Sequence, residues 1–327
     1  MADSEQLREK QPPCKICSRP AIVRVHPDTP LCSIHFAAMI EERVARTIDE
    51  EGMIRDQERV AIALSGGKDS SALLSLLHEY AENRGGIDLL AITIDEGVSG
   101  YREETIRAAE RLTGALGVEH RIVTFRDVYG HDLDELLRSR EDMACTVCGV
   151  MRKQLLQMEA KRCDSTVLAT GHCQDDEAQS ILMNYLKGDT GRIARDASKP
   201  GHPVFVRRIK PLSRIQEREV AIYGMVKGIY TELPECPYAG YALRGEARKM
   251  LNFLELRYPG TMEKLVIGYR EVRERVRVLN HPEPVDICGS CGGPASGSRC
   301  RACTLVQRLV PCRLPDDLIP SIRSAPE

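Results

Sequence analysis

Short apolar runs alternate with longer amphipathic segments through the first two thirds of the chain. Four runs have the length and composition of buried strands: 59–64 (RVAIAL), 88–94 (DLLAITI), 121–125 and 166–170. Three segments of helical periodicity follow such runs: 69–80, 102–116 and 176–186. Strands that alternate with helices of this length predict an α/β fold, with a parallel sheet covered on both faces.

The last third of the chain is predicted to be helical and basic. Helical periodicity returns at 216–228, 243–256 and 261–278, and basic residues outnumber acidic ones from 188 to 280. The whole chain has a net charge of −2, so a polyanionic partner has to be held by this local surface. Segment 187–203 lacks the apolar pattern and predicts a mobile loop that faces the substrate, or a linker.

The chain contains 13 cysteines, and ten of them fall into three sets with the spacing of metal ligands or redox pairs. Disulfide frameworks are typical of exported proteins, and the start MADSEQLREKQPP has no apolar signal region. We therefore expect reduced thiols and a cytoplasmic location. No run of about 18 apolar residues occurs, so we expect no membrane partner.

Two of the cysteine sets lie near the two ends of the chain and have the spacing of tetrahedral zinc sites. The predicted zinc ligands are Cys14, Cys17, Cys32 and His35 in the N-terminal set, and Cys288, Cys291, Cys300 and Cys303 in the C-terminal set. His26 is an alternative fourth ligand in the first set. Modules this short bury too little apolar surface to fold alone, so we expect two Zn²⁺ ions to stabilise them.

A glycine-containing turn lies between the first predicted strand and its helix. It consists of Ser65, Gly66, Gly67, Lys68, Asp69 and Ser70. Backbone N–H groups and the positive end of a helix dipole suit such a turn to phosphate binding. The turn has neither the Walker sequence nor the G-x-G-x-x-G of dinucleotide folds. A turn that binds no ligand is the alternative.

The sequence SGGKDS resembles the PP-loop of the ATP pyrophosphatases, which cleave ATP between the α and β phosphates. Two further segments resemble nucleotide-site motifs of that superfamily: Ile94-Asp95-Glu96-Gly97 with Tyr101-Arg102, and Gly171-His172 with Asp175-Asp176. The resemblance implies a Rossmann-like PP-loop domain in which residues 65–70 hold pyrophosphate and Ile94 lines the adenine. It also implies that Gly171, His172 and the two aspartates lie near the phosphates and Mg²⁺. A helix cap is the alternative role for the aspartates.

The third cysteine set lies in the middle of the chain. Cys145 and Cys148 form a Cys-x-x-Cys pair in CTVCG, and Cys236 lies far away in ECPY. Together with the PP-loop, this set resembles the tRNA 2-thiolation enzymes, and most of all the archaeal and eukaryotic cytosolic enzymes that act on the wobble uridine. The resemblance covers nearly the whole chain. It implies a [4Fe-4S] cluster on the three cysteines, with one iron open to sulfur. A persulfide on one cysteine, resolved by another, is the alternative.

The implied reaction uses ATP to adenylate the C2 carbonyl of a tRNA uridine and then replaces its oxygen with sulfur, releasing pyrophosphate and AMP. Lys68 and the backbone amides of Gly66 and Gly67 are expected to stabilise phosphate charge, and Arg152 or Lys153 is expected to face the phosphate or the sulfur. The residues expected to contact tRNA phosphates lie in the basic segment from Arg192 to Arg277: Arg207, Arg208, Lys210, Arg244, Arg248 and Lys249. The expected sulfur donor is sulfide or a ubiquitin-like thiocarboxylate carrier protein. The resemblance and the long last helix predict a homodimer.

The resemblance divides the chain into four parts. They are an N-terminal zinc finger with a linker helix (1–50), the PP-loop catalytic domain (51–215), its helical basic part with the third cysteine (216–280) and a C-terminal zinc finger (281–327). Three other interpretations stay open: thiolation of a T-loop uridine or a cytidine, a different adenylation with incidental cysteines, and an RNA-binding adaptor with a regulatory nucleotide site.

Overall fold

The computed structural model describes residues 11–25, 28–138, 140–188, 205–241, 243–279, 286–295 and 297–309. Several sequence predictions fall outside these residues: His26, Arg192, the side chain of Arg277 and nearly all of segment 187–203.

The centre of the fold is a five-stranded parallel sheet. The described strands are β1 (Val23–Val25), β2 (Thr29–Leu31), β3 (Arg59–Ala63), β4 (Asp88–Asp95), β5 (Glu119–Thr124), β6 (Val167–Thr170), β7 (Arg207–Ile209), β8 (Asp286–Ile287) and β9 (Pro294–Ala295). The central sheet has the order β5-β4-β3-β6-β7, and two antiparallel pairs, β1-β2 and β8-β9, lie in the flanking cysteine modules. The α/β class predicted from the alternating pattern is confirmed.

Helices cover both faces of this sheet. They are α1 (Ser33–Glu50), α2 (Lys68–Arg84), α3 (Arg102–Leu116), α4 (Phe125–Tyr129), α5 (Leu133–Leu137), α6 (Ala144–Arg162), α7 (Gln174–Leu186), α8 (Glu217–Val226), α9 (Leu243–Arg257), α10 (Thr261–Leu279) and α11 (Arg301–Leu309). The six predicted helices are present with small shifts at their ends. The sequence analysis missed α6, although its buried residues recur at helical spacing.

Two hydrophobic cores lie on opposite faces of the sheet. The first joins α1, α2, α3 and α8 to strand residues such as Val60 and Ile62. The second joins α4, α5, α6 and α11 to Ala61, Leu90 and Ile92. This division follows from the alternation of side chains along a strand. A third, smaller cluster packs α7 against α9 and α10.

The two flanking cysteine modules share the cores of the sheet. Cys14, Leu31 and Cys32 belong to the first core, and Cys288 and Cys300 belong to the second. The first core also extends through α8 to Tyr223. The boundaries predicted after residues 50 and 215 therefore separate segments that pack into one hydrophobic core.

The order of the strands reverses between β3 and β6. From β3 the chain continues to β4 on one side, whereas β6 pairs with β3 on the other side. In open parallel sheets this position leaves a crevice at the carboxyl ends of the strands, where ligands bind. The loops after β3 and β6 meet there: a Cβ on Gly171 would lie 3.0 Å from the backbone of Asp69.

Gly66 lets the loop after β3 pack directly on the first turn of α3. Its φ is +85°, and a Cβ at this position would overlap the carbonyl oxygen of Thr105. Only glycine avoids both the strained backbone and the backbone clash. None of the described helices has both the length and the apolar composition required to cross a membrane.

We expect Gly66→Ala to lower the free energy of unfolding by about 3 kcal/mol, because it adds a backbone clash to left-handed strain. Gly117→Ala is the matched control, because Gly117 has a φ of +66° and a Cβ added there would have no neighbour within 4 Å. This control should lose only about 1 kcal/mol. Urea unfolding of both variants measures the difference, and equal losses would contradict the packing argument.

Candidate active site and metal centres

The loop after β3 is closed by hydrogen bonds among its own residues. The Ser70 hydroxyl donates to the Gly67 carbonyl at 3.0 Å and accepts from the Ser65 N–H at 3.1 Å. Gly67 precedes the first residue of α2, so the loop ends at the N-terminus of a 17-residue helix. The structure thus has the strand, turn and helix that the phosphate-binding interpretation requires.

Lys68 lies at the start of α2 and is held by two carboxylates. Its Nζ lies 2.9 Å from Asp69 Oδ2 and 2.7 Å from Glu217 Oε1, at the start of α8. Burial alone would lower the pKa of Lys68, but the negative charges of Asp69 and Glu217 outweigh it and raise the pKa. The ammonium group is therefore charged and positioned. The sequence analysis did not single out Glu217, because no local pattern links it to the loop.

The two aspartates of the third motif have different partners. Asp176 accepts the Cys173 N–H at 3.1 Å, which caps α7, and also lies 3.0 Å from Arg244. Asp175 accepts the Glu217 N–H at 2.8 Å, and burial raises its pKa. The capping alternative is thus realised by Asp176.

The loop leaves one carboxylate oxygen unsatisfied. Asp69 Oδ1 is buried and has no hydrogen-bond partner among the described residues. A buried acceptor without a partner is uncommon, and carboxylate oxygens are the ligands that Mg²⁺ prefers. The donor set of Asp69 and Asp175 fits a divalent cation at the phosphate loop.

His172 follows β6 and is partly buried. Burial lowers its pKa to about 4, and the nearby Lys210 acts in the same direction. Its Nδ1 lies 3.0 Å from the Thr170 hydroxyl. The side chain is therefore neutral at pH 7 and can act as a hydrogen-bonding group, not as a counter-ion for phosphate.

The three middle cysteines are brought together by α6 and the loop before α9. Cys145 and Cys148 lie in the first turns of α6, and Cys145 Sγ lies 3.7 Å from the Tyr238 carbonyl, two residues after Cys236. Tyr238 also donates to Asp134 at 2.7 Å, which fixes this loop. Burial raises the pKa of Cys148 to about 12 and also raises the pKa of Cys236.

A buried carboxylate lies between the cysteines and the phosphate loop. Glu96, directly after β4, lies 2.8 Å from Arg102 Nε, 3.2 Å from Arg152 and 3.9 Å from Cys148 Sγ. Ile94, predicted to line the adenine, has a side chain that is buried in the core beneath this site. The contact of Ile94 with adenine stays a prediction.

The N-terminal set Cys14, Cys17, Cys32 and His35 forms a compact group. Their four ligand atoms lie within 4.8 Å of one another. The ring Nδ1 of His35 faces Cys14 and Cys32 at 3.5 and 3.4 Å. Backbone N–H groups around Cys14 overcome the effect of burial and lower its pKa to about 6. Deprotonated sulfur and one imidazole are a suitable donor set for zinc.

The C-terminal set Cys288, Cys291, Cys300 and Cys303 forms a second such group, with the ligand atoms again within 4.8 Å. The Cys300 N–H donates to Cys288 Sγ at 3.2 Å. Gln154 of α6 donates to Cys291 Sγ at 2.8 Å, which connects this module to the helix of the middle cysteines. Among the described residues, these are the only two groups of this compactness.

The middle cysteines are not in such a compact group. In a [4Fe-4S] cluster each thiolate binds a different iron, so its cysteine sulfur atoms lie further apart than the ligand atoms of a single ion. The charges of Cys145 and Cys236 both act on Cys148, so the three thiols share one neighbourhood. Soft thiolate donors fit iron and sulfide.

The chain is similar to known proteins over most of its length. The family described as the PP-loop domain matches residues 37–229. The tRNA 2-thiolation protein NcsA of Haloferax volcanii is 36% identical over 316 residues, which cover 90% of this chain and 98% of that protein. The chain belongs to the tRNA 2-thiolation protein family.

Two further relatives of this tRNA 2-thiolation family member extend the comparison. The cytoplasmic tRNA 2-thiolation protein 1 of Bos taurus is 34% identical over 91% of this chain and 88% of its own length. The U34-tRNA thiolase NcsA from Methanococcus maripaludis, solved with its [4Fe-4S] cluster, is 32% identical and superimposes with a TM-score of 0.79. That match covers 91% of this chain and 96% of the solved chain. The resemblance inferred from the motifs is confirmed.

In this tRNA 2-thiolation family member, most of the basic residues predicted to contact tRNA are in ion pairs. Arg207 pairs with Glu58, Lys210 with Glu177, Arg244 with Asp176, Arg248 with Glu217, and Lys249 with Glu246. Arg207 also donates to the Met53 carbonyl at 2.7 Å, so it supports the fold. Lys249 is 74% exposed, and Arg208 is exposed on β7. A tRNA-contact role is therefore better supported for Lys249 and Arg208 than for Arg207.

The lowered pKa of His172 predicts a pH dependence of stability. Because an unfolded histidine has a pKa near 6.5, the unfolded chain binds more protons than the folded one between pH 6.5 and 4. The contribution of His172 to the free energy of unfolding is fully present above pH 6.5 and is lost as the pH falls towards 4. His172→Gln should make the loss of unfolding free energy over this range smaller by about 2 kcal/mol. Identical pH profiles in urea unfolding would contradict this assignment.

Proposed function

We propose that the protein is an ATP-dependent tRNA-uridine 2-sulfurtransferase that acts on the wobble uridine of the anticodon. The observation that carries this proposal is the position of Glu96. It lies between the phosphate loop and the three cysteines, in contact with Arg102 on one side and Cys148 on the other. A site that activates a base and a site that supplies sulfur are thus adjacent. The family membership supports the same reaction.

The phosphate loop is proposed to bind the triphosphate of ATP. Backbone amides of Gly66 and Gly67 and the N-terminus of α2 would face the phosphates, and the charged Lys68 would stabilise them. Lys68 has to exchange Glu217 for a phosphate oxygen when ATP enters. Asp69 and Asp175 would hold Mg²⁺, which neutralises the charge on departing pyrophosphate.

The reaction needs activation because the C2 oxygen of uracil is a poor leaving group. In the proposed path this oxygen attacks the α phosphate, pyrophosphate leaves, and the base becomes an O-adenylated intermediate. Hydrosulfide then adds at C2, AMP leaves and a proton is released, so no net oxidation occurs. The base has to be unstacked for this, at a cost of a few kcal/mol that is smallest in a single-stranded loop.

The middle cysteines are proposed to hold the sulfur-binding group. Cys145, Cys148 and Cys236 would ligate a [4Fe-4S] cluster, which supplies an open iron position for sulfur when it is bound. Arg152 lies one helical turn after Cys148 and is 46% exposed, and we propose that its charge stabilises negative charge on the phosphate or the sulfur. A persulfide on one of these cysteines is the alternative, and that chemistry starts from a thiolate.

The remaining assignments concern metals and partners. The two flanking cysteine groups are proposed to bind one Zn²⁺ each. The tRNA is proposed to contact the basic surface that includes Arg208 and Lys249, and sulfide or a thiocarboxylate carrier would donate sulfur. We propose that the protein acts in the cytoplasm, in keeping with the names of the eukaryotic relatives, and that it forms a homodimer.

The reaction is tested by incubating purified protein with ATP, Mg²⁺, sulfide and unmodified tRNA under anaerobic conditions. Digestion of the tRNA to nucleosides and mass spectrometry should detect 2-thiouridine, and sequencing of anticodon fragments should place it at the wobble position. Sulfur at a T-loop uridine or at a cytidine would overturn the choice of base. ATP cleavage without any thiolated base would overturn the sulfurtransferase assignment.

We expect Cys236→Ala to lose iron but keep zinc. Wild-type protein purified anaerobically should contain about four iron and two zinc atoms per chain, because only the middle cysteines hold the cluster. Cys163→Ala is the matched control, since Cys163 is half-buried at the far end of α6 and contacts Glu159. Metal analysis with the visible spectrum measures both. Zinc without iron in reconstituted wild type would favour a persulfide and contradict the cluster.

A further inference from the structure

We propose that Glu96 is a positioning residue that connects the nucleotide loop to the cysteine-bearing helix α6. This connection fixes the position of the adenylation site relative to the sulfur site. The inference rests on the function proposed above and extends it to a residue that lines neither ligand. Glu96 joins Arg102 and Arg152, which come from two different helices. Each arginine connects to one half of the site.

Arg102 forms the link to the nucleotide loop. Its side chain donates to the carbonyl of Ser65 at 3.2 Å and to the carbonyl of Ile94. Ser65 is the first residue of the phosphate loop, and Ile94 lies near the end of β4. The same turn of α3 contains Thr105, against which Gly66 packs. A displacement of Glu96 would therefore be transmitted to the backbone of the loop.

Arg152 forms the link to the cysteines. Its Nη1 lies 3.2 Å from Glu96 Oε1, and the same oxygen lies 3.9 Å from Cys148 Sγ. Arg152 follows Cys148 by four residues, so both side chains project from one face of α6. One carboxylate oxygen thus sets the position of the first two turns of this helix relative to β4.

Burial gives this connection its rigidity. Glu96 and Arg102 are each only 3% exposed, and a buried charge has to remain paired. Arg152 is 46% exposed. Replacing Arg152 therefore removes its contact with Glu96, and no buried arginine is left without a partner. Substrate has no access to Glu96, which therefore acts through its neighbours and not by touching the reacting atoms.

The connection is tested first by hydrogen exchange in wild type, Arg152→Gln and Arg162→Gln. Arg162 is the matched control, because it lies on the same helix, pairs only with Glu159 among the described residues, and is 65% exposed. An ATP analogue with an α,β-methylene bridge should slow amide exchange at residues 65–71 in all three proteins. It should also slow exchange at 144–152 in wild type and Arg162→Gln, but not in Arg152→Gln. Protection of 144–152 that is the same in all three would overturn the proposal.

The second test measures pyrophosphate released per 2-thiouridine formed. We expect this ratio to rise about tenfold in Arg152→Gln. The variant loses the hydrogen bond between Arg152 and the charged Glu96, which holds the two sites in a fixed relative position. Arg152→Lys should restore part of the coupling, and Arg162→Gln should keep the wild-type ratio. A structural defect alone would lower both products together, and an unchanged ratio would overturn the proposal.

Glu96→Gln completes a double-mutant cycle with Arg152→Gln. If Arg152 acts through Glu96, the double variant should have nearly the same ratio as the more impaired single variant. Additive effects would show that Arg152 acts independently and would overturn the proposal. If Glu96→Gln fails to fold, the exchange and ratio experiments on Arg152 still decide the question. Wild type that forms no thiolated base would refute the proposed function, whereas the exchange experiment would still test the connection.

Discussion

The candidate site depends on the close approach of three backbone segments at the carboxyl end of the sheet. The loop after β3, the first turn of α3 and the loop after β6 touch where the strand order reverses. Gly66 and Gly171 occur at the contacts because a side chain there would meet the backbone of Thr105 or Asp69. Lys68, Asp69 and Asp175 extend from these segments, and Glu217 reaches Lys68 from the start of α8.

The charges around this crevice are paired before any ligand is present. Lys68 is held by Asp69 and Glu217, and Arg102 is held by Glu96. Pairing lowers the cost of burying these groups and fixes their geometry. Phosphate oxygens entering the loop therefore compete with carboxylates for Lys68, and a cation at Asp69 would reduce the repulsion between those carboxylates and the phosphates.

The flanking cysteine groups are parts of the central fold. Cys14 and Cys32 pack in one core, Cys288 and Cys300 in the other, and Gln154 connects the C-terminal group to α6. Metal binding to these groups would therefore stabilise the cores on which the sheet depends. It would also support the helix that carries Cys145 and Cys148.

Local sequence determined the elements and the motifs of this protein. Apolar runs and helical periodicity predicted the central α/β unit. The cysteine spacings predicted both compact groups, because ligands separated by a short loop can bind the same ion. The SGGKDS loop was recognisable because phosphate binding needs backbone amides at a helix start. Only the tertiary structure showed that Glu217 holds Lys68, that Arg207 supports the fold, and that Glu96 joins Arg102 to Arg152. Those contacts span up to 154 residues of the chain, so they form only when the sheet and its helices are assembled.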